Sequence, residues 1–250
     1  MFAAGVCLVC SLFVSGAAVS LKDRQEANKV LDRQKKVLTV AGLIEDGASP
    51  EPAKVQTLFD DNIVAKVVNM ETGTYDDAVN ATTFDQRKAA SDPETSDVAP
   101  ANKAKVKRMP EHTVVYCVKS GGGCDQYILP IQGAGLWSTL YGYLSVDSDA
   151  VTIRGITFYE HGETPGLGGE VDNVKWKASW AGRKIGDGND IRIHVKKGKA
   201  GSAADDPYAV DGLSGATLTS NGVTNALSFW LGEDAFGPYL KNLKSGKVKG

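Results

Sequence analysis

The chain opens on 21 residues without a charged side chain, MFAAGVCLVCSLFVSGAAVSL. As a helix rising 1.5 Å per residue, this stretch is about 31 Å long, the thickness of one bilayer core. A cleaved signal peptide is the competing reading, with SGAA as a small-residue cleavage site. That reading lacks its basic n-region, because apolar residues follow Met1 at once. The pattern therefore predicts a retained transmembrane helix over 1–21, with the true start expected upstream. Charge returns abruptly at Lys22. Over 22–41, Val30 and Val37, and Leu31 and Leu38, recur at a spacing of seven, and Gly42 is the expected terminator. This predicts a stalk helix, joined through the linker IEDGASPEP to a soluble domain over 53–250.

Within that domain the period changes several times. AKVQTLFDDNI (53–63) predicts a short helix and VAKVVNM a strand after it. Residues 76–110 are polar and poorly periodic, which predicts a loop-rich excursion. TVVYCVKSGGGCDQYILPI predicts two strands around a glycine-rich turn. GAGLWSTLYGYLSVD and VTIRGITFYEH continue as β-rich alternation, and IRIHVKK is a further short strand. Near the C-terminus, Val223, Ala226, Leu227, Trp230 and Leu231 recur at helical spacing, with Thr219, Ser220 and Asn221 as candidate N-caps. The expected fold class is α+β: one N-terminal transmembrane helix, then a soluble domain with a largely antiparallel sheet packed with helices.

Composition removes several functions. Lys plus Arg is 28 against 30 Asp plus Glu, so no basic excess points to nucleic acid. The three histidines, His112, His161 and His194, show no metal-ligand spacing, and no protein-bound metal is expected. Cys7 and Cys10 share one face of the apolar helix, where packing is the expected role. Cys117 and Cys124 flank the glycine-rich turn. They read as two half-buried thiols, with a disulfide as the alternative in an oxidising compartment.

The densest chemistry lies in DGLSGATLTSNGV, 211–223. A plain turn and helix N-cap would use its glycines and hydroxyls. A nucleophile elbow would need a base, and no histidine-bearing segment is poised to serve. A phosphate site would use the free N–H groups of the helix N-terminus, with Thr217 placed so that its Oγ meets the phosphate.

Here the sequence resembles the flavinylation motif of FMN-binding domains, D-G-x-S-G-A-T-x-T. The resemblance implies FMN held covalently through a phosphoester on Thr217. A separate flavin transferase would install it, using FAD as donor. Asp211, Gly212, Ser214, Gly215, Ala216 and Thr219 complete the motif, with Leu218 at its open position. The blocks GAGLWSTLYGYL (133–144) and HGETPGLGGEV (161–171), with the N-terminal span, are similar to the C subunits of the Na⁺-translocating NADH:quinone reductase family. The resemblance covers nearly the whole chain, 76–110 and the Cys-flanked turn matching loosely. The short S-G-A-T motif is shared with the G subunit of Rnf-type complexes.

In that family the flavin domain faces the periplasm at the bacterial inner membrane. Other subunits of the membrane-embedded complex are the expected partners, and electron transfer is the expected role. The basic residues just after the span, Lys22 to Lys36, vote for the opposite side by the positive-inside rule. Beside a flavin, Glu163, Thr164, Gly166, Leu167 and Gly168 become candidate lining residues, and Trp137 is either core or a flavin neighbour. Trp176 and Trp180 are expected to pack. No GxGxxG fingerprint is present, so no NADH site is expected on this chain. Three rivals remain: the G subunit of an Rnf-type electron-transport complex, a stand-alone membrane-anchored flavin-binding module, and a hydrolase using Ser214 or Thr217.

Overall fold

A computed structural model describes residues 2–187 and 190–248. The apolar stretch and the stalk form one unbroken helix, α1 (Phe2–Val40). It is exposed along most of its length and buried only at Val37, Leu38 and Val40. Over its apolar part α1 is long and hydrophobic enough to cross a membrane. It stops where expected: Gly42 takes φ +76°, and the Leu43 N–H returns to the Leu38 carbonyl at 2.9 Å.

Helix α2 (Pro52–Asn62) starts on a proline and runs directly into β1 (Ile63–Asn69). The short β2 (Thr74–Tyr75) folds back on it. The polar excursion contains α3 (Gln86–Ser91) and a small hairpin of β3 (Ser96–Val98) and β4 (Arg108–Pro110). Arg108 holds that hairpin by donating to the Ser96 hydroxyl and carbonyl. Then come β5 (His112–Ser120), β6 (Gly123–Ala134), β7 (Thr139–Asp147) and β8 (Ile153–Glu160). With β1 and β2 they make a six-stranded antiparallel sheet in the order β2-β1-β5-β6-β7-β8. After β8 come α4 (Val174–Ala178) and the two-residue strands β9 (Gly186–Asp187), β10 (Asp190–Ile191), β11 (His194–Val195) and β12 (Ala209–Val210). Helices α5 (Thr217–Trp230) and α6 (Gly237–Lys244) close the fold.

Alternation along the central strands supplies two cores. Leu129 and Leu144 face one side with Phe158, Trp180, Trp230 and Tyr239. Ile128 and Tyr143 face the other, against Val37, Leu38 and Val55 of the first two helices. The stalk is therefore part of the packed domain at its last turns.

That packing fixes a direction. Arg33 lies over the Tyr159 ring, 5.7 Å from its centre, at the end of β8. Val40 reaches Gly155, at the start of β8. The Ala41 carbonyl accepts from Gln126, near the start of β6, at 2.8 Å. Helix α1 therefore runs antiparallel to β8. Followed back toward residue 2, it leaves past the end where β6 and β8 finish and β7 begins.

Three local expectations change. Cys117 and Cys124 form a disulfide with Cα atoms 5.5 Å apart, not two thiols. The register that joins them depends on a bulge between Val118 and Lys119, which composition does not encode. Helix α5 starts at Thr217, so its N-cap is Ala216, without a side-chain capping bond, and Thr219, Ser220 and Asn221 lie inside the helix. The segment IRIHVKK splits into β10 and β11 in two different small sheets.

Candidate functional site

Three segments far apart in sequence meet at the end of the sheet from which α1 departs. They are the turn between β6 and β7, the loop after β8, and the entry to α5. A carboxylate joins them. Glu163, only 5% exposed, accepts from the backbone N–H groups of Leu136 (3.2 Å), Trp137 (2.9 Å) and Ser138 (3.4 Å). Its other contact is the hydroxyl of Thr219, fully buried on α5, which donates at 2.5 Å. Burial pushes the Glu163 pKa up. The Thr219 hydroxyl and the N–H groups of Trp137, Leu136 and Ser138 more than reverse this, and the group sits below its ordinary value.

The packing around this carboxylate leaves no room for side chains. A Cβ on Gly168 would stand 2.5 Å from the Thr219 hydroxyl and 2.6 Å from Glu163 Oε2. Gly215 is needed for a different reason. It takes φ +70°, at the third position of a turn closed by the Ala216 N–H on the Leu213 carbonyl at 3.1 Å. The Ser138 hydroxyl adds a further tie by accepting from the Gly162 N–H at 2.6 Å. His161 donates to Asp172 through Nε2 at 2.9 Å and accepts the Glu163 N–H through Nδ1 at 3.2 Å.

The 211–223 motif divides into residues that hold and residues that are presented. Asp211 accepts from the Ala200 N–H, and its own carbonyl accepts from the Trp176 indole at 2.8 Å. Gly212 packs against the Lys196 carbonyl. The buried Ser220 hydroxyl accepts from the Leu213 N–H at 3.1 Å. Ala216 is buried beneath the turn. Ser214, Gly215, Thr217 and Leu218 face solvent. The Thr217 hydroxyl has no hydrogen-bond partner among the described residues. It stands on the first turn of α5, where backbone N–H groups lack carbonyl partners and the helix dipole is positive.

Around Thr217 the exposed surface is apolar. Leu218 is 60% exposed, Trp137 71%, Leu136 47% and Leu167 44%. Leu167 lies directly beside Gly215. Thr164 and Gly166 are exposed on the same loop, where the Thr164 carbonyl accepts from Leu167 and Gly169. Trp137 is thus not a core residue, whereas Trp176 and Trp180 are buried and meet edge to face at 5.4 Å. Glu163 turns its carboxylate inward rather than toward the open surface. Leu136 and Ser138 were not singled out from sequence, and only their position beside GLW marks them; Ser220 was expected as an N-cap and instead accepts the Leu213 N–H. Among the described residues, no histidine hydrogen-bonds to Ser214 or Thr217.

This is an open, apolar-rimmed helix N-terminus with one free hydroxyl, and its class is given by a family model. The FMN-binding domain model matches residues 135–232, which contain all three converging segments. The C subunit of the Na(+)-translocating NADH-quinone reductase of Pseudomonas aeruginosa is 50% identical over 97% of this chain and 94% of its own length. The corresponding subunit of Vibrio anguillarum is 47% identical over 96% and 91%. The crystal structure of NqrC from Shewanella oneidensis superposes with a TM-score of 0.79 at 34% identity, covering 88% of this chain and 99% of that one. The chain belongs to the NqrC family, the C subunits of the Na⁺-translocating NADH-quinone reductase. Identity of this extent favours that reductase over the Rnf-type subunit and over a stand-alone module.

The clamp predicts a pH-dependent loss of stability. Glu163→Gln keeps the size but turns an amide N–H₂ toward N–H donors. It is expected to cost about 1.5–3 kcal/mol at neutral pH, measured by urea unfolding. Because the folded carboxyl titrates below its unfolded value of about 4.3, the wild-type advantage is full above that pH. It fades as pH falls through the folded pKa. A gap between the two proteins that stays constant from neutral to acid pH would contradict the clamp.

Proposed function

We infer that this chain is the electron-transfer subunit of the sodium-translocating NADH-quinone reductase, and that it carries FMN as a phosphoester on the Thr217 hydroxyl. The observation that carries the reading is that hydroxyl. It is exposed and unpartnered among the described residues, on a helix N-terminus with no side-chain cap, inside the segment matched by the FMN-binding domain model. A phosphate joined to Thr217 Oγ would meet the free N–H groups of the first turn and the positive end of α5. Gly215 lets the backbone come close to it. Leu167, Leu218 and Trp137, with the Thr164–Gly168 loop, offer the apolar surface an isoalloxazine ring needs.

In the attachment step the Thr217 oxygen bonds to phosphorus and loses its proton, and the nucleotide half of the donor leaves. A flavin transferase supplies the catalysis. Bound FMN supplies one- and two-electron redox chemistry. The chain's own contribution is to fix one end of the cofactor, support its ring and leave the site open to carriers on other subunits. Substrate turnover belongs to the assembled complex.

We place α1 across the bacterial inner membrane with the soluble domain in the periplasm. The disulfide between Cys117 and Cys124 supports that side, since such bonds persist in oxidising compartments. It weighs against the positive residues that follow the span.

Two experiments test the reading. Intact mass of the chain made alongside an active transferase should exceed the polypeptide by one FMN minus water, and Thr217→Ala should remove both the added mass and the yellow-green fluorescence. A variant that keeps them rules out the assignment. Protease added to spheroplasts should digest the soluble domain; digestion only after the inner membrane is broken would reverse the orientation.

A further inference from the structure

The loop that carries Glu163 and Leu167 begins at His161 and ends at Asp172, and these two residues meet. His161 Nε2 lies 2.9 Å from Asp172 Oδ2, which ties the base of the loop while Thr164–Gly168 form its tip. On the other side of the same ring, Nδ1 lies 3.2 Å from the Glu163 backbone nitrogen. The neighbouring peptide is held as well, because the Gly162 N–H donates to the Ser138 hydroxyl at 2.6 Å. The His161 side chain is largely covered, with 14% of it exposed.

These partners fix the ring proton. A backbone N–H only donates, so Nδ1 must be bare to accept from Glu163. Burial pushes the Asp172 carboxyl up, but the His161 bond and the charges of Lys36 and Lys177 more than reverse this, so Asp172 is ionised and only accepts. Nε2 therefore carries the one proton of a neutral ring. A second proton has one place to go, Nδ1, where it points at the Glu163 N–H. Two donors then face each other across 3.2 Å, and the peptide between Gly162 and Glu163 must turn away. The charged groups acting on the ring are Asp172 and Glu163 in the loop and Lys36 on α1. The Asp172 bond draws the His161 pKa up, burial and Lys36 oppose it, and the balance lies above the ordinary value. Glu163 itself titrates far lower, so the two protonations are separate.

We propose that His161 is the positioning residue of this loop, holding Glu163 in place as the neutral Nε2–H tautomer, and that a proton taken up at Nδ1 releases the Glu163 N–H and shifts the Thr164–Gly168 tip. The use of such a device rests on the reading that the tip lines FMN, whereas the proton itself is a property of the unloaded chain. Its signature differs from a loss of stability. A pKa raised in the fold means that the ion pair with Asp172 stabilises the protonated fold below the unfolded value of about 6.5. That stability is lost as pH rises through the folded pKa. Mild acid thus tightens the base of the loop and frees its tip. On the periplasmic side the ring would meet the pH of the medium, and the shape of the site would follow it.

Two amide substitutions separate the two nitrogens. His161→Asn keeps an acceptor within reach of the N–H two residues on and does not titrate. His161→Gln reaches toward Asp172 as Nε2 does and loses the Nδ1 acceptor. Amide exchange over residues 162–168 is followed by mass spectrometry in the full chain made without a transferase. Each variant is compared with wild type at the same pH, so the intrinsic pH dependence of exchange cancels. Wild type and H161N should exchange alike about two pH units above the ordinary histidine value of about 6.5. About one unit below it, wild type should exchange about fivefold faster, the worth of one hydrogen bond. H161Q should be fast at both. Histidine ¹⁵N spectra of wild type, with His161 assigned by its loss in H161N, should show Nδ1 bare and Nε2 protonated on the alkaline side. Wild type that tracks H161N at every pH overturns the proposal, as does a proton on Nδ1 on the alkaline side. In the loaded chain, flavin emission should follow the same titration in wild type and stay flat in H161N; flat emission from both overturns the link to the site. A chain that shows the expected exchange but never carries flavin supports the role of His161 and removes the flavin reading instead.

Discussion

The buried carboxylate of Glu163 carries the site. Taking a charge out of water is costly unless its lone pairs are filled. Here three backbone N–H groups and one hydroxyl fill them. Those donors come from the β6–β7 turn and from α5, while Glu163 itself follows β8. One side chain thus makes three distant segments share a position. The glycines are its consequence: Gly168 must be bare because Thr219 and Glu163 already occupy the space. With the clamp closed, Leu167, Leu218, Leu136 and Trp137 stand near one hydroxyl instead of on unrelated loops.

A site built this way is formed before any cofactor arrives. Its strained and buried parts are satisfied by the chain itself, through Glu163, Thr219, Ser220 and the Trp176 indole on Asp211. What remains open is the part a partner must reach. On the proposed reading, an enzyme that loads Thr217 would need the hydroxyl exposed, and a relay would need its cofactor within reach of other carriers. Both demands would account for apolar side chains left in solvent at a place where a self-contained enzyme would bury them. The direction of α1 adds a constraint on where those carriers sit, since the open end of the domain and the departing helix point the same way.

Much of this was legible in the sequence because it is local. The charge-free run, the α2 and β1 elements, the β5–β6 hairpin and the 3.6-residue period of α5 all declare themselves within a dozen or so residues. The motif at 211–219 singled out Thr217, which stands exposed on the first turn of α5, and ETPGLGG singled out the loop whose Leu167 lies beside Gly215. What stayed hidden depends on register and long-range contact. Glu163 looks like a lining residue until its partners, up to 56 residues away, turn it inward. The Cys117–Cys124 bond needs a bulge that no residue type announces. Thr219, Ser220 and Asn221 have the chemistry of N-caps, yet the glycine turn ahead of them starts α5 earlier, at Thr217. Trp137 and Trp180 are the same residue type with opposite fates, decided by the sheet rather than by their neighbours in sequence.

The most direct measurement is fragment mapping of the tryptic peptide spanning residues 200–241, taken from the chain in its native membrane. Ser214, Thr217, Thr219 and Ser220 all lie on it, but only Thr217 combines an exposed hydroxyl with the first turn of α5. The account predicts the full mass of FMN less water on Thr217 and on no other residue of the peptide. An unmodified peptide from active complex, or the same mass on Ser214 or the buried Thr219, would contradict it.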